Sequence, residues 1–202
     1  MIRVVPASAA AWEDLQLVLG TRGPAGRCQC QRYKLEPRES FASVSVDERR
    51  HRLREQTDCG PSVSERDRGS GTTSGLVAYL DPEPVGWCAV EPRTAYAGLV
   101  RNSNRAAWVG RTEDRNDDGV WAVTCFVTRA GYRKRGVSRA LTLAAVAYAR
   151  EQGARAIEGY PLTTGTAILE ELHVGTASVF ADAGLVEVSR PSVRRVVMRM
   201  EL

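Results

Sequence analysis

The sequence predicts a single α/β domain, and three patterns carry that prediction. The first is a hairpin of two β-prone runs, 76–80 and 84–90, joined by a turn at 81–83. The second is the continuous β-prone run 120–127, which is typical of a central strand buried on both faces. The third is the amphipathic helix that follows this strand after a basic turn. A length of 202 residues fits one domain.

Residues 1–59 are predicted to form the first strand and two helices. Residues 2–5 are β-prone, and Ser8 offers a side-chain oxygen to cap a helix that ends at Gly20. The stretch 23–26, rich in Gly and Pro, predicts a loop. Ser45, followed three residues later by Glu48, is a reciprocal capping pair and predicts a second helix that runs to about residue 56.

The charges of the second helix and the segment after it predict exposed structure. Arg49, Arg50, Arg52 and Arg54 in that helix indicate a solvated face. Residues 60–75 are mostly Gly, Ser, Thr and charged side chains, so they predict a flexible loop inside the domain. About sixty residues with two amphipathic helices would hardly fold alone. Residues 1–59 are therefore expected to pack on the core at 76–202.

Composition excludes several classes of protein. The first residues contain no apolar run of signal-peptide length, and no stretch is apolar for long enough to cross a bilayer, so we expect a cytoplasmic location without membrane association. A net charge of +4 does not indicate a nucleic-acid partner. The five cysteines are odd in number and scattered, which argues against a disulfide framework. Cys28 and Cys30 could be half of a metal site, but further ligands are scarce, so we expect no metal.

The turn after the central strand is a predicted anion site. Between Gly119 and Arg150 there is no acidic residue, whereas the cations there are Arg129, Arg133, Lys134, Arg135, Arg139 and Arg150. A helix follows directly, and the first N–H groups of a helix have no internal partners and lie at its positive end. Gly136 lets a phosphate approach the backbone. The ligand should be a phosphate or pyrophosphate.

Two common phosphate-binding patterns do not match, but a third does. The P-loop spacing and the three-glycine dinucleotide fingerprint are both missing. The stretch instead resembles the acetyl-coenzyme A (acetyl-CoA) motif of the GNAT acyltransferases, Gln/Arg-x-x-Gly-x-Gly/Ala, at Arg133, Gly136 and Ser138. Ser138 replaces the usual small apolar residue, and Lys134 stands where a second glycine is frequent.

The resemblance extends well over residues 76–202 and implies a fold. Residues 154–160 are similar to the family's next strand, and 176–185 are similar to its short last helix and the turn after it. The implied architecture is a mixed, mostly antiparallel central sheet flanked by helices and splayed at the cofactor strand. The whole chain, 1–202, would be one N-acetyltransferase domain with 76–202 as its acetyl-CoA-binding core.

The resemblance also implies the residues that bind acetyl-CoA. Backbone groups of Phe126, Val127 and Thr128 would pair with the pantetheine amides or the thioester carbonyl. The pyrophosphate would be held by Arg133, Lys134, Arg135, Gly136, Val137 and Ser138, with Arg139 reaching the same anion. Cys125 has no recognisable basic partner in the sequence, so direct attack by the acceptor amine is favoured over a covalent intermediate.

The catalytic acid and base are less well indicated. The family's usual general acid is a tyrosine of the last helix, and Phe180 occupies the matching position. Tyr160 and His173 are the candidate replacements, although each could equally be a packing or loop residue. Glu158 is the candidate base, with an orientation toward either the cleft or solvent. Asp117 and Asp118 are alternatives for the base.

These observations predict transfer of an acetyl group from acetyl-CoA to a primary amine. The acceptor could be a small amine, an amino sugar or antibiotic, or a protein amine. The missing helix tyrosine motivates an alternative, a non-catalytic coenzyme A-binding sensor or interaction module. Exposed strand edges favour a homodimer.

Overall fold

The computed structural model describes residues 1–59, 73–101, 107–163 and 171–202. Its strands form one sheet in the order β1-β2-β3-β4-β5-β7-β6. The strands are β1 (Ile2–Pro6), β2 (Leu76–Leu80), β3 (Glu83–Pro92), β4 (Val120–Thr128), β5 (Ala156–Gly159), β6 (Val186–Ser192) and β7 (Arg195–Glu201). Only the β4–β5 pairing is parallel, and the other described pairings are antiparallel. The predicted mixed, mostly antiparallel sheet is confirmed.

The helices of the described residues pack on both faces of the sheet. They are α1 (Trp12–Leu19), α2 (Gly23–Cys28), α3 (Val46–Thr57), α4 (Ala97–Arg101), α5 (Val137–Glu151) and α6 (Ala177–Ala181). Helices α5 and α6 cover one face, where the largest cluster of buried apolar side chains lies. Helix α1 and the segment after it cover the opposite face beside β2 and β3. No helix in the described ranges has the length and apolar character to cross a bilayer.

The helices of residues 1–59 lie where the sequence predicts them, but one predicted cap and one predicted loop are wrong. Ser45 caps α3 as predicted, because its Oγ accepts a hydrogen bond from the backbone N–H of Glu48 at 3.1 Å. Ser8, in contrast, lies in a 3-10 turn, and α1 begins without a side-chain cap. Residues 23–26 form the start of α2 rather than a loop, since Pro24 stands in the first turn, where its missing N–H costs no hydrogen bond.

Two predictions of exposure are corrected for particular residues. Arg49 is buried instead of solvated, and its guanidinium donates to the backbone carbonyl oxygens of Arg27 and Phe41 at 2.9 and 3.2 Å. Most of the predicted flexible loop 60–75 lies outside the described residues. Within its described end, Thr73 is buried and donates from Oγ1 to the Thr57 carbonyl oxygen at 2.8 Å. Residues 73–75 therefore anchor the chain to α3.

One glycine fixes how closely α5 approaches the sheet. Gly86 of β3 faces the beginning of α5, and a Cβ atom at this position would lie 2.4 Å from Cγ1 of Val137. Any larger residue would push the helix away from the strand. The N-terminus of α5 is thereby held close to the end of β4.

Candidate active site

The sheet opens next to β4, as the sequence predicts for the cofactor strand. Strands β4 and β5 are paired only from Val120 with Ala156 to Val123 with Gly159. Strand β4 continues to Thr128, and residues beyond Val123 remain paired with β3 on their other side. In the described part of the chain, the β5-facing edge of 124–128 has no strand partner. Its backbone groups are available to a ligand.

A cavity of about 500 Å³ lies along this open edge. It extends from the N-terminus of α5, past the end of β4, to the segment that contains α2. The lining residues are Pro24, Ala25, Cys28, Cys30, Arg32, Cys125, Phe126, Val127, Thr128, Arg133, Lys134, Gly136, Val137, Ser138, Arg139, Leu172, His173 and Val179. Nine of the ten residues predicted to bind the cofactor are among them.

One end of the cavity is built to hold an anion. Gly136 is the N-cap of α5 with φ +79°, a conformation that favours glycine, and nothing lies within 4 Å of the position that a Cβ would take. The first turn of α5 contains no acidic residue, so nothing there competes with an anionic ligand for the helix N–H groups. Arg133, Lys134 and Arg139 line the same end. This end can bind a pyrophosphate.

Arg135 is the one predicted cofactor-binding residue outside the cavity lining. Its guanidinium lies over the ring of Tyr132, 5.4 Å from the centroid. Arg129 stacks on the same ring at 5.0 Å. Two cations therefore contact one aromatic ring beside the cavity. A role of Arg135 in cofactor binding stays a prediction.

Residues 33–161 match the family model described as the acetyltransferase (GNAT) family. The chain belongs to the GNAT acetyltransferase family. Acetyl transfer is therefore the class of reaction, and acetyl-CoA is the acyl donor. The described cavity fits this donor, because it joins a cationic helix N-terminus to an open strand edge that can pair with amide groups. Comparison with curated protein sequences gives no match.

Solved GNAT structures show the same fold at low sequence identity. The ribosomal-protein-alanine N-acetyltransferase from Brucella melitensis matches with TM-score 0.53 and 15% identity over 100% of this chain and 99% of its own. The N-acetyltransferase from Staphylococcus aureus Mu50 gives TM-score 0.53 and 9% identity, with coverage of 100% and 98%. The paia N-acetyltransferase from Thermoplasma acidophilum, in complex with coenzyme A, gives TM-score 0.51 and 12% identity, with coverage of 100% and 99%. These similarities concern the fold.

The other end of the cavity is lined by three thiols, and the fold brings Cys125 to Cys28 and Cys30 from a distant part of the sequence. Cys28 and Cys30 come from α2 and the residues after it, whereas Cys125 belongs to β4. Cys30 accepts a hydrogen bond at Sγ from Nε1 of Trp87 at 2.9 Å. The neighbouring Cys125 thiol, together with burial, raises the pKa of Cys30 well above its usual value. The short spacing of Cys28 and Cys30 was the available signal, but it could provide only half of a metal site, and no metal is expected from the sequence. In the described ranges, no cluster of three or more His, Cys, Asp or Glu residues could hold a metal ion.

Glu158 is fully buried in an ion-pair cluster instead of lining the cavity. Its carboxylate accepts hydrogen bonds from Arg111 at 3.2 Å and Arg199 at 2.8 Å, and Arg93 lies 3.4 Å away. Burial alone would raise the pKa of Glu158, but the hydrogen bond and charge of Arg111, with Arg93 and Arg199, outweigh it and lower the pKa. A carboxylate held in this way is a weak base. Its predicted catalytic role gains no support from the geometry.

The two candidate acids occupy different places. Tyr160 is buried and donates its O–H to Glu158 at 2.9 Å, and burial together with the Glu158 charge raises its pKa well above the usual value. It is absent from the cavity lining. His173 lies in a 3-10 turn and lines the cavity, on the side that also contains Leu172. Of the predicted catalytic residues, His173 alone is a cavity residue.

Phe180 is a core residue, and its ring cannot donate a proton. It is fully buried on α6, with its ring 5.8 Å from that of Phe126 in an edge-to-face arrangement. Gly159 of β5 makes room for it, because a Cβ there would lie 2.2 Å from Cε1 of Phe180. The ring thus packs behind the β4 wall of the cavity. Phe180 therefore cannot act as the general acid that the family resemblance implies for this helix.

Proposed function

We propose that this protein transfers the acetyl group of acetyl-CoA to a primary amine by direct attack of the amine on the thioester. One observation carries the proposal: a single cavity joins a cationic helix N-terminus to the unpaired edge of the cofactor strand. The amine could belong to a small molecule, an amino sugar or antibiotic, or a protein. Bound in this cavity, acetyl-CoA supplies an activated acetyl group.

Each wall of the cavity has a separate task in this reaction. Arg133 and Lys134 neutralise the pyrophosphate, and Gly136 lets it approach the free N–H groups of α5. The backbone of 126–128 pairs with the pantetheine amides, and an N–H group of this edge polarises the thioester carbonyl. The apolar side chains of Val137 and its neighbours exclude water. These groups orient the thioester without a covalent link to the protein.

Calorimetric titration with acetyl-CoA tests the donor site with matched pairs of variants. Arg133→Glu should weaken binding about 10- to 100-fold, because a charge-assisted hydrogen bond contributes about 1.5–3 kcal/mol. Arg150→Glu makes the same charge change at the C-terminal end of α5, outside the cavity lining, and should change the affinity less than about threefold. Gly136→Asp should abolish binding, because it adds a negative charge and a strained backbone at the anion-binding end, whereas Gly131→Asp, outside the cavity lining, should not. Equal effects within each pair would contradict the site.

A panel of amines then tests the reaction. Release of free coenzyme A is followed with a thiol reagent, using small amines, amino sugars, aminoglycosides and protein amines. Turnover with at least one amine, and an acetylated product found by mass spectrometry, supports the proposal. Tight acetyl-CoA binding without turnover on any amine or protein would favour the alternative, a coenzyme A-binding sensor or interaction module.

The remaining expectations about partners stay predictions. A homodimer would cover an edge of the sheet, and edge strand β6 leaves Val186 and Val188 exposed. Analytical ultracentrifugation decides between monomer and dimer. A cytoplasmic location is likewise expected from the sequence alone.

A further inference from the structure

The lining of the cavity is cationic at both ends. Among the described residues that line it there is no Asp or Glu, whereas its cations are Arg32, Arg133, Lys134 and Arg139. Three of these belong to the anion-binding end, where the pyrophosphate of acetyl-CoA is proposed to bind. Arg32 comes from the segment after α2 and lies at the end that the thiols line. The pyrophosphate therefore does not account for Arg32.

The residues on either side of Arg32 hold its backbone in place. Buried Gln31 donates from Nε2 to Oε1 of Gln56 in α3 at 2.8 Å. The carbonyl oxygen of Tyr33 accepts a hydrogen bond from the backbone N–H of Gly98 in α4 at 2.7 Å. The backbone that carries Arg32 is thus tied to two helices. Its side chain, in contrast, is exposed and available to a ligand.

The contacts of this segment place Arg32 beside the part of β4 that leaves β5. Cys30, two residues earlier, is hydrogen-bonded to the indole of the β3 residue that pairs with Val127 of β4. Tyr33, the next residue, packs against the buried apolar cluster that includes Ala122 of β4. Arg32 therefore lies alongside the strand between these two levels. This interval contains the point where β4 and β5 separate, which is the expected place of the thioester.

The two cations of this segment differ in what they contact. Lys34 donates from Nζ to Oγ of Ser74 at 2.6 Å and forms an ion pair with Glu91 of β3, so the protein itself compensates its charge. Within the ranges that the structure describes, the Arg32 guanidinium makes no hydrogen bond or ion pair. A guanidinium offers several N–H donors in a plane, an arrangement that suits a carboxylate. Arg32 can therefore bind an anionic group next to the thioester.

We propose that Arg32 binds a carboxylate of the acceptor, and that the acceptor is a small amine that carries a carboxylate, as an amino acid does. This inference rests on the proposed function and names its substrate class. The guanidinium holds the carboxylate while the amine of the same molecule reaches the thioester. Amines with several positive charges, such as aminoglycosides, meet no counter-charge in the described lining. A cavity of about 500 Å³ that also holds the inner part of acetyl-CoA suits a small acceptor.

Pairs of acceptors that differ only in the carboxylate test this role. Each amino acid of a panel is compared with its carboxamide, which keeps the amine. The amine of the amide is the less basic of the two, so a preference for the acid cannot come from a more reactive amine. Wild type should give a kcat/KM at least about tenfold higher for its best amino acid than for the amide, as expected for a hydrogen bond to a charged group. Equal values, or turnover confined to polycationic or protein amines, would overturn the inference.

Variants then assign the preference to the guanidinium. Arg32→Gln should lower kcat/KM for the amino acid at least about tenfold and leave kcat/KM for the amide within about threefold of wild type. Arg38→Gln removes the same charge from an exposed position of the same segment, outside the cavity lining, and should change neither value. Acetyl-CoA affinity of Arg32→Gln, measured by calorimetry, should match wild type. Equal losses for acid and amide, or an acetyl-CoA affinity lowered about tenfold, would overturn the role in acceptor binding.

A binding measurement separates this inference from the proposed function. N-acetylglycine and N-acetylglycinamide, which resemble the product, are titrated by NMR into wild type and Arg32→Gln with coenzyme A present. Wild type should bind the acid at least about tenfold more tightly than the amide, and Arg32→Gln should bind both alike. If no amine is turned over, the proposed function fails, but this difference would still support the anion subsite at Arg32. Equal binding of acid and amide by wild type would overturn the subsite.

Discussion

The buried cluster around Glu158 provides a test that separates a structural role from a catalytic one. Substitution of Glu158 by Gln removes one negative charge and leaves Glu113 as the only carboxylate that pairs with all three of Arg93, Arg111 and Arg199 among the described residues. Arg93 and Glu158 are fully buried, and Arg111 is nearly so. Water therefore has little access to Arg93 and Arg111 and compensates little of the lost charge there.

The expected cost follows from this burial. In general, removal of one partner of a buried ion pair costs about 3–5 kcal/mol, because the remaining charge stays buried. Here Glu113 still compensates part of that charge, which favours the lower end of the range. The amide of Gln keeps one acceptor oxygen for an arginine or for Tyr160, so we expect about 3 kcal/mol, the lower end of that range. In a domain of this length each kcal/mol shifts Tm by about 2–4 °C, which gives a fall of about 6–12 °C.

Thermal unfolding by circular dichroism measures this fall, and a surface pair provides the control. Glu187 accepts a hydrogen bond from Nε of Arg190 at 2.9 Å on the protein surface, and Glu187→Gln should cost less than about 1 kcal/mol. Acetyl-CoA affinity of folded Glu158→Gln at 20 °C should match wild type. A variant with unchanged Tm and no turnover would refute the reasoning and return Glu158 to the role of catalytic base.

Three further predictions concern the pH dependence of the Glu158 cluster, the packing of Gly159 and the cap of α3. Burial raises the pKa of Glu158, but Arg111 and its neighbours outweigh burial and lower it in the folded state. The ionised form therefore stabilises the fold above about pH 4.3, and this contribution is lost as the pH falls through the lower folded-state pKa. The Tm difference between wild type and Glu158→Gln should narrow below about pH 4, and a constant difference would contradict this. Gly159→Ala brings a Cβ against the Phe180 ring and should lower the free energy of unfolding, measured with urea, by about 1–3 kcal/mol. An unchanged free energy of unfolding would mean that the core tolerates the added methyl group. Ser45→Ala removes the α3 cap and should lower stability by about 1 kcal/mol, or about 2–4 °C in Tm; no change would mean that water replaces the cap.

Local patterns in the sequence were sufficient for most of the site that binds the donor. The hairpin, the buried strand and the basic turn before α5 depend on neighbouring residues, whose propensities and hydrogen bonds act over a few positions. Gly136 is an example, because a helix N-terminus with a positive-φ glycine is a local arrangement. The position of Arg135 could not be predicted, since Tyr132 competes with the cavity for its guanidinium.

The surroundings of the candidate catalytic residues depended on long-range packing and could not be predicted from the sequence. Glu158 alternates with its neighbours along β5, and the sequence left its direction open. Only the meeting of Arg93, Arg111 and Arg199 from three other segments shows that it faces a buried cluster. A charge can be buried only where partners assemble from distant parts of the chain.

The sequence by itself determined an α/β domain with a phosphate-binding turn after its central strand, and the resemblance of that turn to the GNAT motif indicated acetyl-CoA. Those features are encoded by contiguous residues. Only the tertiary structure showed that the thiols of Cys30 and Cys125 line the cavity that we propose for this donor, and that Phe180 is enclosed in the core. Proton donors and acceptors act over a few ångströms, and residues far apart in the chain reach that distance only through folding.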